Sequence, residues 1–268
     1  MSSEKYACAV LSDLKYAPRA LLTMGELRGA GAWQGEIVYV CVDFEPDAQL
    51  KAQLDALRVT LRRVAHIPTE ELVRQLRAHP LRTPDDNRHF GKLTQWDKLQ
   101  LFDPWFKQWD AVLYVDAGMR IVNSVAPFFA QPWRGAIIAP MDRPRDPANN
   151  FACQLDLNAN QQATATLMHD FGAEILLERY FLNCMWLYDT GIIDVCDFRA
   201  LEQGMNRYPL CMTNEMALMN LYFTFKHKLW KPLQVQQGDR ILFAWTEAIY
   251  PGKALGDFHM LKYPSGLK

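Results

Sequence analysis

Two charged residues, Lys98 and Asp116, have neighbours that place them for chemistry. Asp116 follows the apolar segment 111–115, which predicts a fully buried strand. In open α/β sheets, ligands bind outside the carboxyl ends of the strands, so a carboxylate that closes such a strand is a candidate site residue. Lys98 precedes Asp116 by 18 residues, a separation that lets an amphipathic helix carry the lysine over the same strand end. An ammonium group there would bind phosphate oxygens as a point charge, and Lys92 is a second candidate for that task.

The composition predicts a soluble, cytoplasmic α/β protein. A chain of 268 residues with 50% hydrophobic and 12% aromatic side chains can bury a substantial core. The net charge of -1 gives no general attraction to nucleic acid. No segment approaches the roughly 20 apolar residues of a membrane span, and no signal peptide is expected. The six cysteines lack CxxC spacing, which favours free thiols over disulfides or zinc.

Strand-like and helix-like segments alternate along the first third of the chain, and this order predicts a parallel, doubly wound sheet. The strands are expected over 6–12, 36–44 and 60–64, and the helices over 18–29, 47–57 and 69–78. Further on, the pattern predicts strands over 136–140 and 180–188, a helix over 164–177, and a helix that is opened by residues 212–215, with Thr213 or Asn214 as N-cap, and runs to about 225. Residues 142–150 are rich in Pro, Asp, Arg and Asn, which predicts a long loop.

Three segments together resemble a known family. Lys98-Leu99 is followed by residues 109–119, Trp-Asp-Ala-Val-Leu-Tyr-Val-Asp-Ala-Gly-Met, and then by Ile-Val-Asn-Ser-Val-Ala-Pro-Phe-Phe over 121–129. These segments are similar to the donor-binding core of nucleotide-sugar glycosyltransferases of the GT-A fold, especially the glycogenin-like family (family 8). The family pattern is Tyr-Asp-x-Val-Leu-Tyr-x-Asp-Ala-Asp, and this sequence departs from it at Gly118, where the family has its second metal-binding Asp.

The resemblance implies a fold and a function. The fold would be a Rossmann-like, mostly parallel central sheet flanked by helices, in one GT-A domain over 1–268. Its nucleotide-sugar-binding half would cover about 1–130 and its acceptor-binding half about 131–268. The reaction would transfer a sugar from a nucleoside-diphosphate donor, with uridine as the expected base, to a carbohydrate or other hydroxyl acceptor, with retention of the anomeric configuration.

The same resemblance assigns the end of the first strand to the nucleotide. Residues 10–16, Val-Leu-Ser-Asp-Leu-Lys-Tyr, resemble the family's Leu-Thr-Thr-Asn-x-x-Tyr with one residue fewer. By that match Leu11 and Ser12 would give backbone contacts, Asp13 would contact the base or ribose, and Tyr16 would stack on the base. An ordinary strand-to-helix turn with a surface tyrosine is the alternative.

In the second half, Asn183 and Glu215 are the candidate residues at the donor sugar. Asn183 lies in a segment similar to the family's Phe-Asn-Ser-Gly-Val-x-x-Tyr, and a buried amide needs partners such as a sugar hydroxyl or the backbone. Glu215 matches the acidic residue of Gly-Asp-Gln-Gly-Leu-Leu-Asn, which implies hydroxyl binding or stabilisation of an oxocarbenium-like transition state. A Glu in the first turn of a helix is also explained by the helix dipole alone.

The resemblance further implies a divalent metal, Mn²⁺ or Mg²⁺, although Gly118 removes one expected ligand. Asp116 and His259 would be its ligands, and Lys262 would bind phosphate, because Lys262-Tyr263-Pro264 matches the end of the family's His-x-x-Gly-x-x-Lys-Pro. His259 lies three residues before Lys262 instead of six, and a lone His is often structural.

Two other functions remain open at this point. Gly118 and the shifted His259 are also compatible with a catalytically weak GT-A-like protein that binds a nucleotide sugar or serves as a scaffold. Acidic residues at three strand ends, Asp13, Asp43 and Asp116, would suit a metal-dependent nucleotidyltransferase. The expected partners are a nucleotide-sugar donor and a glycan acceptor, with no nucleic acid and no integral membrane segment; the oligomeric state is open.

Overall fold

The computed structural model describes residues 4–82 and 88–265, which form an α/β fold. Its strands are β1 (Tyr6–Ser12), β2 (Glu36–Val42), β3 (Val59–Val64), β4 (Ala111–Val115), β5 (Arg120–Ile121), β6 (Ile137–Ala139), β7 (Met185–Asp189), β8 (Trp230–Pro232), β9 (Gln236–Gln237), β10 (Arg240–Ala244) and β11 (Phe258–Leu261). Its α-helices are α1 (Ala17–Arg28), α2 (Ala48–Ala56), α3 (Glu70–Ala78), α4 (Arg88–Gly91), α5 (Ala126–Phe129), α6 (Gln161–Phe171), α7 (Phe198–Arg207) and α8 (Glu215–Asn220).

A seven-stranded sheet in the order β3-β2-β1-β4-β7-β6-β8 forms the centre of the molecule. Strands β3, β2, β1 and β4 are mutually parallel, whereas β7 runs antiparallel to both β4 and β6. The last pair, β6 and β8, is parallel again. The sheet is therefore mostly parallel, as the sequence pattern predicts for its first strands, and the carboxyl ends of β1 and β4 meet at one edge.

Both faces of this sheet are buried, which explains the continuous apolar runs of its strands. Alternate residues of β1 belong to opposite cores: Ala7 and Ala9 pack with the residues below one face, and Cys8 and Val10 with those of the other. Met24 of α1 lies in the second core. Helix α1 thus covers the sheet beside the strand end that carries Asp116.

A smaller sheet in the order β5-β11-β10-β9 brings the end of the chain back to this edge. Strand β11 is antiparallel to β5, with Leu261 opposite Arg120. Because β5 starts four residues after Asp116 and Lys262 directly follows β11, this pairing carries Lys262 to the end of β4. The sequence pattern did not predict this sheet, since two of its strands are only two residues long.

Three elements differ from the sequence-based expectations. Lys98 lies on a 3₁₀ helix over Leu93–Phe102 instead of an amphipathic α-helix, and all residues from Trp96 to Phe102 are buried. The strand expected over 180–188 begins only at Met185. The helix expected over 164–177 covers Gln161–Phe171 and ends at Gly172, whose φ of +80° takes the chain out of the helix.

The helix that begins at Glu215 changes its winding before it ends. It is an α-helix over Glu215–Asn220 and a π-helix over Leu221–Lys226. Within the described ranges, the helices are too short or too polar to cross a membrane.

Candidate active site

Asp116 lies at the carboxyl end of β4, where the chain leaves the sheet. Its backbone N–H donates to the carbonyl of Cys184 at 2.9 Å, which fixes the start of the turn. Its Oδ1 accepts a hydrogen bond from the Tyr114 hydroxyl at 2.7 Å and lies 3.0 Å from the Lys98 ammonium. Its Oδ2 accepts from Lys262 Nζ at 2.5 Å. Both carboxylate oxygens therefore have cationic partners.

Lys98 joins this carboxylate to a second one. Its Nζ lies 2.9 Å from Glu215 Oε1 and 3.4 Å from the Asn183 carbonyl, and the residue is only 6% exposed. The Asn183 amide donates to the same Oε1 at 2.6 Å. The 3₁₀ helix, the end of β4, the start of α8 and the residue after β11 each contribute one charged side chain, so residues distant in the chain form one charge cluster. We call Lys98, Asp116, Glu215 and Lys262 the ionic cluster.

Opposite charges in this cluster set its protonation. Burial raises the pKa of the Asp116 carboxyl, but the attraction of Lys262 and then of Lys98 outweighs burial and holds that pKa at about 2. Burial lowers the pKa of Lys98, yet the neighbouring carboxylates Asp116 and Glu215 raise it above its usual value. The pKa of Lys262 is likewise raised by Asp116 against the effect of burial. At neutral pH these three groups are charged.

Glu215 has the least satisfied carboxylate of the cluster. It is 1% exposed, and its Oε2 has no hydrogen-bond partner among the residues that the structure describes. Burial raises the pKa of this carboxyl, and Lys98 only partly offsets the increase. An unpartnered buried carboxylate oxygen is costly, so this atom is a candidate acceptor for a ligand hydroxyl.

An open cleft of about 190 Å³ lies in front of the cluster at the sheet edge. Most of the sequence-predicted donor residues line it: Leu11, Ser12, Asp13, Tyr16, Lys98, Asp116 and Lys262. Arg19, Lys92, Thr94, Gln95, Tyr114, Ala117, Gly118 and Tyr263 complete the lining. Asn183 and Glu215 lie behind Lys98, and His259 is also outside the lining of the cleft.

The turn after β1 forms one wall of this cleft. The Asp13 carboxylate accepts the backbone N–H of Tyr16 at 3.0 Å and so caps a short 3₁₀ helix before α1. The Ser12 hydroxyl hydrogen-bonds to that of Tyr39 at 2.7 Å. The guanidinium of Arg19 lies 5.4 Å from the centre of the Tyr16 ring, within cation–π range. The wall therefore presents an aromatic face with a cation beside it.

The backbone conformation at position 118 explains why a glycine stands there. Its φ is +91°, a conformation that side-chain-bearing residues rarely adopt. Its backbone N–H donates to Thr23 Oγ1 at 3.0 Å, which ties the turn to α1. A Cβ atom at this position would lie 3.4 Å from the Cδ of Arg19. The stem of Arg19 would thus be in van der Waals contact with the first side-chain atom of a second aspartate.

These residues do not form a ready metal site. Asp116 has both oxygens paired with ammonium groups, and Gly118 supplies no ligand. His259 donates its Nδ1–H to the Ser124 carbonyl at 2.6 Å, which leaves Nε2 as the free nitrogen, and the residue does not line the cleft. Over residues 4–82 and 88–265, no three His, Cys, Asp or Glu side chains are grouped to hold a metal. Divalent metals need several oxygen ligands, and the cluster would have to lose an ammonium partner to provide even one.

A second, larger cavity of about 680 Å³ adjoins the loop after β6. Its wall includes Trp245, which is 41% exposed, and Tyr250, whose ring carries the Arg145 guanidinium at 4.9 Å. Leu182 and Met216, which flank Asn183 and Glu215 in the chain, line its inner side. Residues 142–146 of the loop expected from the sequence also line this cavity, whereas nothing in the sequence pattern pointed to Trp245 or Tyr250.

Arg19 was also missed, although a signal for it exists. It follows Tyr16 by three residues, and such a separation places two side chains on the same side of a helical turn. Tyr114 could have been found in the same way, because it precedes Asp116 by two residues and therefore extends from the same face of β4.

No protein-family model matches the sequence. No curated protein matches it either.

Solved structures do resemble it. The galactosyltransferase LgtC, in complex with donor and acceptor sugar analogues, shares 14% sequence identity with a TM-score of 0.57, covering 96% of this chain and 86% of that chain. Core-mannan synthase A from Aspergillus fumigatus, in a Mn/GDP form, shares 11% identity with a TM-score of 0.55, covering 86% of this chain and 73% of that chain. The mannosyltransferase Ktr4p from S. cerevisiae, in complex with GDP, shares 10% identity with a TM-score of 0.55, covering 85% of this chain and 69% of that chain.

The comparisons establish the fold. The chain has the mixed α/β architecture of GT-A-type glycosyltransferases, with a large, mostly parallel sheet flanked by helices, and this confirms the expected fold class. At these identities the likeness concerns the fold alone. The closer resemblance to the glycogenin-like family stays a prediction.

Proposed function

We propose that this chain is a glycosyltransferase of the glycogenin-like type that transfers a sugar from a nucleoside-diphosphate donor to a hydroxyl group of a carbohydrate acceptor, with retention. The observation that supports this most directly is the ionic cluster beside a cleft at the carboxyl ends of β1 and β4. Proteins of the same fold include LgtC with donor and acceptor sugar analogues and Ktr4p with GDP. The resemblance in sequence favours UDP, and GDP is the second candidate.

The wall formed by the β1 turn is assigned to the nucleoside. Tyr16 offers its ring to the base, Asp13 lies in reach of the base or ribose, and Leu11 and Ser12 line the floor of the cleft. Lys262 and Lys98 are assigned to the diphosphate. Ammonium groups stabilise the negative charge that grows on the departing diphosphate when the bond to the anomeric carbon breaks, and this lowers the barrier.

Asn183 and Glu215 are assigned to the sugar. The Oε2 atom of Glu215 needs a partner, and a hydroxyl of the donor sugar or the positive charge of an oxocarbenium-like transition state supplies one. The acceptor oxygen then bonds to the anomeric carbon on the face that the diphosphate leaves, and its proton passes to the departing phosphate oxygen. Lys98 positions both residues because it contacts Glu215 Oε1 and the Asn183 carbonyl.

The acceptor is assigned to the second cavity. Aromatic rings stack on the apolar faces of sugars, and Trp245 and Tyr250 both line this cavity. Leu182 and Met216 lie on its inner side, next in sequence to Asn183 and Glu215. An acceptor bound in the second cavity would therefore approach the donor sugar from the side of Asn183 and Glu215.

The resemblance implies a divalent metal, but the side chains around Asp116 do not fit one as they stand. A Mn/GDP form is known for core-mannan synthase A, which shares the fold. In this chain, however, both oxygens of Asp116 contact ammonium groups. No step of the proposed reaction is therefore assigned to a metal.

The test is a panel of UDP- and GDP-sugars incubated with the full chain, with detection of the released nucleoside diphosphate. We expect release from at least one donor, and a loss of about tenfold or more in kcat/KM for Lys262→Met, since one charge-assisted contact to the diphosphate is removed. The exposed Lys107, which lies before β4 begins, is the matched control, and Lys107→Met should leave the rate unchanged.

Other products would identify the alternatives. The paired state of Asp116 also suits a protein that binds a nucleotide sugar without turning it over, and tight binding with no product from any donor would assign that function. Release of pyrophosphate would indicate a nucleotidyltransferase. Absence of binding to every nucleotide tested would refute the proposal.

A further inference from the structure

Asp116 is already neutralised from two sides, and this bears on how a diphosphate could be bound. Lys98 lies 3.0 Å from its Oδ1 and Lys262 lies 2.5 Å from its Oδ2. A dication on either oxygen would sit within a few ångströms of two buried ammonium groups, where like charges repel strongly. The carboxylate is therefore arranged to hold lysines in the cleft and not to attract a metal ion.

A cationic side chain also fills the region of the missing second carboxylate. The stem of Arg19 packs over Gly118, with its Cδ 3.4 Å and its Cβ 3.7 Å from the position of a Cβ at that residue. Its guanidinium, over the Tyr16 ring, lines the cleft that Lys262 also lines. The cleft thus has an arginine packed beside the position at which the resembled family pattern has its second metal-binding aspartate.

The charge of the cleft matches a diphosphate without added ions. Among the described residues that line it, the cations Arg19, Lys92, Lys98 and Lys262 outnumber the carboxylates Asp13 and Asp116, and a third carboxylate, Glu215, lies behind Lys98. A nucleoside-diphosphate sugar carries one negative charge on each phosphate at neutral pH. The excess of cations in the lining therefore offsets negative charge on the ligand without an added divalent ion.

From this geometry we infer that Arg19 and Lys262 perform the task of a divalent metal, so that the chain binds and uses its nucleoside diphosphate without one. The inference rests on the proposed function, because it concerns the same donor site. It gives Gly118 a role as well, because its positive φ shapes the turn over which the stem of Arg19 packs.

Calorimetry of UDP and GDP binding to the full chain, in excess chelator and again with Mn²⁺ or Mg²⁺, tests the inference. We expect at least one of the two to bind, with a Kd in chelator within about twofold of that with metal, because Arg19 and Lys262 already supply positive charge to the phosphates. Mn²⁺ titrated alone should show no tight site. Binding that is lost in chelator and regained with metal overturns the inference but leaves the proposed function intact. No binding under any condition overturns both.

Variants identify the cations responsible. Arg19 is exposed, so Arg19→Met should fold normally and weaken nucleoside-diphosphate binding in chelator by about tenfold, the effect of one charge-assisted hydrogen bond. Lys262→Met should weaken it similarly, and Lys262→Arg should restore most of the affinity. Lys107→Met is the control and should bind like the parent. If Arg19→Met and Lys262→Met both bind like the control, other groups neutralise the diphosphate and the inference is wrong.

Discussion

Replacement of Lys98 by methionine tests whether this lysine stabilises the buried carboxylate of Glu215 and the partly buried one of Asp116. Its Nζ lies 2.9 Å from Glu215 and 3.0 Å from Asp116. With an effective dielectric constant of about 20, each attraction is worth about 5–6 kcal/mol before desolvation is subtracted. Removal of one partner from a buried ion pair usually costs about 3–5 kcal/mol, because the remaining charge stays buried. We therefore expect Lys98→Met to lower the free energy of unfolding by about that amount at pH 7.

The pH dependence of this loss has a definite sign. Without Lys98, the pKa of Glu215, already above its ordinary 4.5 because of burial, should rise further. A carboxyl whose pKa is higher in the folded state binds more protons when folded, so the protein is most stable below the unfolded pKa and loses stability as pH rises through the folded pKa. Lys98→Met should accordingly become less stable from about pH 4.5 upward.

Urea unfolding followed by tryptophan fluorescence measures both effects, since the chain has eight tryptophans. The control is the double variant Lys98→Met/Glu215→Gln, in which no unpaired charge replaces the pair and Asp116 still has Lys262. We expect it to regain about 2 kcal/mol relative to Lys98→Met and to lose the added pH dependence. Equal stability of the single and double variants, at every pH, would refute this account of the cluster.

Three further predictions concern other parts of the fold. Lys262 and Lys98 outweigh burial and hold the pKa of Asp116 at about 2. The Asp116 carboxylate therefore stabilises the fold at pH values above 3.8, its ordinary pKa, and this stabilisation is lost as the pH falls toward 2. The stability gap between the parent and Asp116→Asn should therefore narrow in urea titrations at acid pH, and a constant gap would contradict the assignment. Gly204→Ala places a Cβ 2.7 Å from the Tyr222 ring, so the free energy of unfolding, measured by thermal unfolding, should fall by about 1–2 kcal/mol. In the control Gly25→Ala the new Cβ has nothing within 4 Å, and the free energy of unfolding should rise by up to about 1 kcal/mol. Equal changes in the two variants would exclude the clash with Tyr222. Trp245→Ala should raise the KM for the acceptor severalfold with little change in the KM for the donor, as steady-state kinetics will show, and a change confined to the donor would place the acceptor elsewhere.

The first half of the fold was predictable because its signals are local. The strands β1 and β2 are continuous apolar runs with polar residues at their carboxyl ends, and burial on both faces of a parallel sheet produces that pattern. The place of Asp116 at the end of β4 follows from the same rule. The resemblance to the family motifs also indicated the right architecture, although LgtC, core-mannan synthase A and Ktr4p share only 10–14% sequence identity with this chain.

The contacts of the site were less accessible, because they depend on distant parts of the chain. Lys262 reaches Asp116 only through the pairing of β11 with the two-residue strand β5, which no periodicity reveals. Lys98 lies on a buried 3₁₀ helix, whose register differs from the α-helix that the pattern suggested. The packing of Arg19 over Gly118 depends on a positive φ that a single glycine in a sequence does not announce.

The central claim is that Lys98, Asp116 and Lys262 form the diphosphate end of a nucleotide-sugar site. A crystal structure of the chain with a bound nucleoside diphosphate tests it most directly. We expect a phosphate oxygen of the nucleotide within about 3 Å of Lys262 Nζ and the base beside Tyr16, with Asp116 still paired to a lysine. A nucleotide bound elsewhere, or with its phosphates out of reach of Lys262, would contradict it.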